Sequence, residues 1–172
     1  MFKLLGAVLL VVGGTGFSFC ICKDLNSRLI FLREVRYMYE LIQSEIRYTS
    51  LPLPQIFKNI SDKIRDPFGS LLKRVGDGME PGKGGVLGEV WRQEAEKSLS
   101  EVPFTNKQKD FLLRFPESMG LLDSEGQAKA LQRRMDELDG WIARQEREGK
   151  EQNRVIMSAG IAGGVLFAIL LL

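Results

Sequence analysis

The stretch Leu4–Cys22, LLGAVLLVVGGTGFSFCIC, contains no charged residue. An α-helix of these 19 residues rises about 28 Å, close to the ~30 Å hydrocarbon core of a bilayer. Backbone amides inside lipid must be satisfied within their own segment, so this run is predicted to be helical. No A-x-A-like cleavage site follows the run, which favours an uncleaved anchor over a signal peptide.

A second run of this kind is Val155–Leu172, VIMSAGIAGGVLFAILLL, in which eleven residues are Val, Ile, Leu, Met or Phe. Each strongly apolar residue favours insertion by about 0.3–0.6 kcal/mol at the centre of a membrane. Every charged residue except Lys3 lies between the two runs. We therefore predict an N-terminal transmembrane anchor at residues 1–22, a soluble domain at 23–154 and a C-terminal transmembrane helix at 155–172.

Basic residues flank both runs on the side of the central domain, and few lie on the other side. Because Lys and Arg near membrane spans are retained in the cytoplasm, this asymmetry predicts a cell-membrane protein with two spans and a cytoplasmic domain. The flanking residues are Lys23, Arg28, Arg33 and Arg36 after the first run, and Arg144, Arg147, Lys150 and Arg154 before the second.

The central domain shows helical periodicity throughout. Apolar residues recur at steps of three and four, which is typical of an amphipathic helix. In the first segment they are Leu25, Leu29, Leu32, Val35, Tyr39, Ile42 and Ile46. The segment TSLPLP at residues 49–54 should end that helix, because residues before proline avoid the α region, and Pro54 suits the first turn of the next helix.

Three further helix starts are marked by capping signals: Asp66-Pro67, Thr105 with Gln108, and Ser124 with Gln127. Asp123 is also a plausible helix cap. No stretch alternates apolar and polar residues between hairpin turns, so no strand is predicted. The fold class is therefore predicted to be all-α, an antiparallel helical bundle of about six helices flanked by one transmembrane helix at each end.

The composition excludes several kinds of chemistry. The chain has no histidine, which removes Ser-His-Asp and Cys-His catalysis and histidine metal sites. A net charge of +2 gives no basis for nucleic-acid binding. The Gly82-Lys83 pair lacks the other residues of a P-loop. We expect no cofactor, no metal and no enzymatic activity; the rival hypothesis is a membrane-tethered enzyme that uses the carboxylates of Asp123, Asp136 and Asp139.

Gly160 and Gly164 have the G-x-x-x-G spacing that lets membrane helices approach closely. Their partner is either the first membrane helix or another protein, and self-association is one such case. An alternative reading of the whole chain is therefore a membrane-tethered helical receptor or signalling dimer. Membrane lipid is an expected partner in every reading.

Two stretches resemble a known family, the stage III sporulation protein AB family. Residues 41–60, LIQSEIRYTSLPLPQIFKNI, are similar to its E-I-x-Y…P-L-P pattern, and residues 115–127, FPESMGLLDSEGQ, to its L-G-x-x-D-x-x-x-Q pattern. The matching positions, which we take as candidate interaction or fold-defining residues, are Glu45, Tyr48, Pro52, Pro54, Gly120, Asp123 and Gln127.

The resemblance implies a non-enzymatic platform component of the sporulation channel complex between mother cell and forespore. It implies a place in the mother-cell membrane facing the forespore, and a domain similar to the platform proteins of type II secretion and type IV pilus systems. The implied partners are other proteins of the complex, including a secretion-type ATPase docked by the cytoplasmic domain.

Overall fold

The computed structural model describes residues 27–49, 51–80, 82, 85–120 and 123–171, with the backbone alone from residue 150 onward. The chain divides into two compact units, one of residues 30–142 and one of residues 1–29 with 143–172. The described residues form six α-helices and one 3₁₀-helix and contain no strand, so the all-α prediction is confirmed for this part of the chain.

Helix α1 covers residues 27–48 of the described chain and buries most of the predicted stripe; Leu29 is half-buried and Leu25 lies outside the described residues. It ends where the sequence predicts, before the proline segment. The backbone N–H and the hydroxyl of Thr49 both donate to the Glu45 carbonyl oxygen, at 2.8 and 2.7 Å, which satisfies one of the last free carbonyls of the helix. Five of the stripe residues, Leu32, Val35, Tyr39, Ile42 and Ile46, are buried.

Helix α2 is Leu53–Ser61 with Pro54 in its first turn, as predicted. The expectation that Leu53 is extended because it precedes Pro54 is wrong, since Leu53 is the first residue of the helix. Helix α3 is Phe68–Gly78, and Pro67 is the residue before it rather than its first residue. Asp66 caps this helix from one position further out, because its Oδ1 accepts the Ser70 N–H at 3.1 Å and the Ser70 hydroxyl at 2.6 Å.

Helix α4 is Leu87–Leu99 and α5 is Asn106–Leu113, followed by the 3₁₀-helix Phe115–Met119. The capping box predicted at the start of α5 is present. The Gln108 N–H donates to Thr105 Oγ1 at 3.3 Å, and the Thr105 N–H donates to Gln108 Oε1 at 2.9 Å. Two of the orphan amides at this helix start are thus satisfied reciprocally.

Helix α6 runs from Ser124 to Leu171. The capping box predicted from Ser124 and Gln127 is wrong in its residues. Asp123 caps the helix, since its Oδ1 accepts the Gly126 N–H at 2.8 Å, whereas the Gln127 side chain donates to the Met119 carbonyl oxygen at 3.3 Å. A carboxylate one residue earlier accepts from the amide one residue earlier and adds the favourable charge at a helix N-terminus.

Phe115 of the 3₁₀-helix lies at the centre of the core. Its ring stacks on Trp91 of α4 with a centroid distance of 4.3 Å and on Tyr39 of α1 at 5.5 Å, and it lies 6.2 Å from Phe57 of α2. Trp91 also donates from Nε1 to the Leu112 carbonyl oxygen at 2.9 Å. The short 3₁₀-helix therefore contributes the residue on which three α-helices converge.

Within the part of the chain whose side chains are described, no helix is both long and apolar enough to cross a membrane. The predicted first span, residues 1–22, lies outside the described residues. The predicted second span, residues 155–172, falls where the side chains are not described, and so do Gly160 and Gly164.

Candidate docking surface

Helices α1 and α6 run in opposite directions along their contact. Gln43 of α1 donates from Nε2 to the Ala128 carbonyl oxygen at 2.7 Å and to Gln132 Oε1 at 3.3 Å. Nearer the start of α1, Arg36 donates from Nε to Asp139 Oδ1 at 2.8 Å. The order of the partners is reversed, so the C-terminal end of α1 lies beside the N-terminal end of α6.

The 3₁₀-helix contacts the N-terminal end of α6. The hydrogen bond from the Gln127 side chain to Met119 ties the first turn of α6 to the end of the 3₁₀-helix. Gly120 follows directly and is exposed, as is the capping residue Asp123. Gly120 and Asp123 are thus brought close to the turn of α1 that follows Gln43.

Helices α2 and α3 complete this end. A Cβ on Gly76 of α3 would lie 2.9 Å from the Pro54 carbonyl oxygen, so the end of α3 lies against the start of α2. Lys58 of α2 holds the same region, because its Nζ pairs with Asp77 at 2.9 Å and also with Glu80. Hydrogen bonds to these two carboxylates raise the pKa of Lys58.

We call this end of the 30–142 unit the α1–α6 end and define it by Tyr48, Leu51, Pro52, Gly120 and Asp123. Tyr48 is the most exposed large apolar residue among those described, at 84 %, and Leu51 is 39 % exposed. Asp123 and Gln127 make the backbone contacts given above, whereas Tyr48 makes none with the described residues. The Tyr48 side chain is therefore exposed and unpaired among the described residues, while those of Asp123 and Gln127 serve the backbone.

Sequence reasoning missed two residues of this region. The sequence predicts only that Leu51, which precedes Pro52, avoids the helical region. The structure shows that its side chain is also partly exposed. Val86, 64 % exposed, precedes α4, whose Val90 lies next to Gly78 at the end of α3. The sequence does not distinguish Val86 from any other apolar residue that precedes a helix.

A third missed residue is Arg134 of α6, which clamps the corner between α5 and the 3₁₀-helix. Its guanidinium donates to the carbonyl oxygens of Phe111 at 2.8 Å and Arg114 at 2.5 Å, and to the Ser118 hydroxyl. It also lies 4.8 Å from the centre of the Phe111 ring. Nothing in the sequence distinguishes this arginine from the exposed Arg133 before it.

The neighbouring Tyr39 hydroxyl is buried and makes no hydrogen bond with the described residues. Burial raises the pKa of Tyr39, and the positive charge of Arg134 offsets part of that rise. The phenol stays neutral at physiological pH, and it acts as an aromatic core residue rather than as an acid or base.

The carboxylates of the rival enzyme hypothesis are not assembled into a site. Asp139 accepts a hydrogen bond from Arg36 and thereby raises the pKa of Arg36. Asp136 accepts from the Gln132 amide at 3.0 Å. Asp123 caps α6 at the opposite end of the α1–α6 contact. Among the described residues, no group of three or more Cys, Asp or Glu side chains is arranged to hold a metal ion.

The comparisons with known proteins agree with one another. The chain is similar to stage III sporulation protein AB of Bacillus subtilis (strain 168), with 26 % identity over 172 residues, which is the full length of both chains. A solved structure of stage III sporulation protein AB has the same fold, with a TM-score of 0.64 and 21 % identity over 72 % of this chain and 97 % of that one. The family model of stage III sporulation protein AB matches residues 3–172. This chain therefore belongs to the stage III sporulation protein AB family.

Proposed function

We propose that this protein is a non-enzymatic, membrane-anchored platform component of a sporulation channel complex between mother cell and forespore. Membership of the stage III sporulation protein AB family, over nearly the whole chain, supports a role in sporulation. The observation that supports the platform role is the exposed side chain of Tyr48 at the α1–α6 end.

Tyr48 suits a docking residue on physical grounds. A tyrosine brings a large apolar area, a hydroxyl that donates or accepts, and only two side-chain torsions to immobilise, and tyrosines are enriched at binding hot spots. Leu51 adds apolar surface beside it, and Asp123 adds a polar rim. The proposed partner at this end is the cytoplasmic secretion-type ATPase of the complex.

The proposed anchoring rests on the two charge-free runs, residues 4–22 and 155–172, and on the basic residues beside them. In this proposal both runs span the membrane and the docking domain lies in the cytoplasm of the mother cell. The topology is tested by replacing Cys20 and Cys22 with serine, introducing Glu137→Cys on exposed α6, and labelling sealed cells with an impermeant thiol reagent. We expect labelling of the introduced cysteine only after the cells are permeabilised. Labelling in sealed cells would show that the domain faces the outside and would contradict the proposed orientation.

The docking role is tested by placing a photo-crosslinking amino acid at position 48 of the full-length protein in sporulating cells. The expected product is a covalent adduct with the ATPase, identified by mass spectrometry. The matched control is the same substitution at Glu137, an exposed position on α6 away from this end, which should give no such adduct. Adducts of the same identity at both positions would reject the α1–α6 end as the docking surface.

The role in sporulation is tested separately by deleting the gene in the organism that encodes it. Loss of heat-resistant spores after engulfment, restored by the wild-type gene, is expected. Normal spore yields in the deletion strain would overturn the proposal as a whole, whatever the crosslinking shows.

A further inference from the structure

Helix α1 carries apolar side chains on its exposed face as well as on its buried one. Of the five large apolar or aromatic side chains that are exposed among the described residues, three lie on this helix: Ile30 at 39 %, Tyr37 at 43 % and Tyr48 at 84 %. At about 100° of turn per residue, these three side chains fall within about 20° of one another around the helix. They therefore form one line rather than a scatter of single surface residues.

This line runs along the side of α1 that points away from the core. The half-buried Leu41 falls on it between Tyr37 and Tyr48. From Ile30 to Tyr48 the line extends over about 27 Å. We call these four residues the outer face of α1. Because the buried stripe already packs α1 against the bundle, a second apolar face is typical of a helix that has partners on both sides.

Charged side chains stand on both flanks of the outer face of α1. Arg47 is exposed on one flank and Glu45 is half-buried on the other, and neither side chain has a hydrogen bond or ion pair with the described residues. Glu40 lies on the same flank as Arg47, but Arg36 neutralises it by donating from Nη1 to its Oε2 at 2.6 Å. A complementary surface therefore presents an acidic group to Arg47 and a basic group to Glu45, on either side of an apolar line.

Neither a lipid surface nor a second copy of the chain matches this pattern. Helices that lie in a lipid surface are rich in Lys and Arg beside their apolar face, whereas here the carboxylates of Glu40 and Glu45 stand on the two flanks. In the proposed topology, copies in one membrane would pair their α1 helices in parallel, which sets Glu40 of one copy beside Glu45 of the other. A head-to-tail contact needs a second apolar line, and the remaining exposed apolar residues of the described chain, Leu51 and Val86, do not form one.

We propose that the outer face of α1 binds an amphipathic α-helix of a partner protein, which carries an acidic group toward Arg47 and a basic group toward Glu45. Side chains in such a line form a ridge that fits the groove of another helix, and the length of the line matches about five helical turns. Burial of the apolar line supplies most of the affinity, and the flanking ion pairs set the register and direction of the partner helix.

This inference goes beyond docking at the α1–α6 end. The two surfaces share only Tyr48, and Tyr37 lies about 16 Å from Tyr48 along α1. The experiment below involves no ATPase, so its outcome does not depend on the crosslinking at position 48.

The test uses the full-length protein in phosphatidylcholine nanodiscs and measures binding by fluorescence anisotropy. The probe is a fluorescein-labelled helical peptide of three heptads, with leucine at positions a and d, glutamate on one flank and lysine on the other. Tyr37→Ala should weaken binding of the peptide at least about fivefold, as truncation of an interface tyrosine does. The smaller Ile30→Ala change should weaken it about two- to fivefold. The matched control is Val86→Ala, a more exposed apolar residue outside α1, and it should leave binding unchanged.

Helical content, measured by circular dichroism, checks that each variant is folded. Equal losses in Val86→Ala and Tyr37→Ala would show general adhesion to exposed apolar residues and would overturn the site. Equal binding of a peptide with the same residues in scrambled order would overturn the recognition of a helix, and so would failure of the designed peptide to bind the wild-type protein.

Two further results would assign the outer face of α1 to another occupant and overturn the proposal. Disulfide-linked dimers of a Tyr37→Cys variant that also carries Cys20→Ser and Cys22→Ser would assign the face to a second copy. Loss of peptide binding when phosphatidylglycerol replaces part of the phosphatidylcholine would assign it to the lipid surface.

Discussion

Arg134 shows how a single side chain can organise a corner of this protein. It is the donor to two carbonyl oxygens and a hydroxyl between Phe111 and Ser118, at the point where α5 ends and the 3₁₀-helix begins. Carbonyls at the end of a helix lack intrahelical donors, and the guanidinium supplies several from one position.

Arg134→Met should lower the free energy of unfolding by about 2 kcal/mol, because hydrogen bonds from a charged donor are lost and their acceptors are left unpaired. Tyr39→Phe removes a buried hydroxyl that has no partner and should be close to neutral or slightly stabilising. Urea unfolding followed by circular dichroism measures both. A cost for Tyr39→Phe as large as that for Arg134→Met would show that the hydroxyl contributes to the network.

The lowered pKa of Glu94 predicts that the stability of the fold depends on pH. Its pKa lies below the ordinary value of 4.5, chiefly because of the hydrogen bond from Lys97 and also because of Arg74. The unfolded chain therefore binds this proton at a higher pH than the folded chain does. The stabilisation is fully present above about pH 4.5 and is lost as the pH falls through the folded pKa.

Glu94→Gln should accordingly reduce the fall in stability between about pH 5 and pH 3, measured as the urea midpoint at each pH. Glu96→Gln, which removes an exposed carboxylate without an ion pair, should leave the slope as it is. A wild-type slope in Glu94→Gln would mean that its pairing with Arg74 and Lys97 adds no stability.

At the scale of the element, the glycines inside helices have opposite surroundings. A Cβ on Gly140 of α6 would meet no atom within 4 Å, whereas a Cβ on Gly69 of α3 would lie 2.3 Å from the Ile64 carbonyl oxygen and 2.6 Å from that of Ser61. The first glycine only weakens its helix, and the second allows α3 to approach the end of α2.

Gly140→Ala should raise the free energy of unfolding by about 0.5–1 kcal/mol, because alanine has the higher helix propensity and restricts the unfolded chain. Gly69→Ala should lower it by about 1–3 kcal/mol through overpacking against backbone that cannot yield. Thermal melts of the two variants make the comparison. Equal effects of the same sign would contradict the assigned surroundings.

At the scale of the whole molecule, residues 30–142 form a compact unit with the aromatic core around Phe115 at its centre. A fragment of residues 27–150 should keep the helical circular dichroism of this unit and unfold cooperatively without detergent, because every residue of the described hydrophobic core lies within the fragment. A broad, non-cooperative melt would show that the terminal segments are required for the fold.

The helices themselves could be predicted from local sequence. The apolar stripe of α1, its end before Pro52, the Thr105–Gln108 capping box and the absence of strands among the described residues all follow from interactions within a few residues. Both Asp123 and Ser124 suit the cap of α6 by sequence, and the structure shows that Asp123 is the capping residue. An antiparallel arrangement of the entire bundle remains a prediction beyond the pairing of α1 with α6.

The sequence by itself determined the helical class, the family and the seven candidate residues, because periodicity, capping and motif spacing are properties of neighbours along the chain. Only the tertiary structure decided that Tyr48 is exposed and that Arg134 bonds to the carbonyl oxygens of Phe111 and Arg114. Those outcomes depend on contacts between residues tens of positions apart. The hydrophobic core brings these residues together, and the sequence next to each polar residue does not reveal which distant residue it will contact.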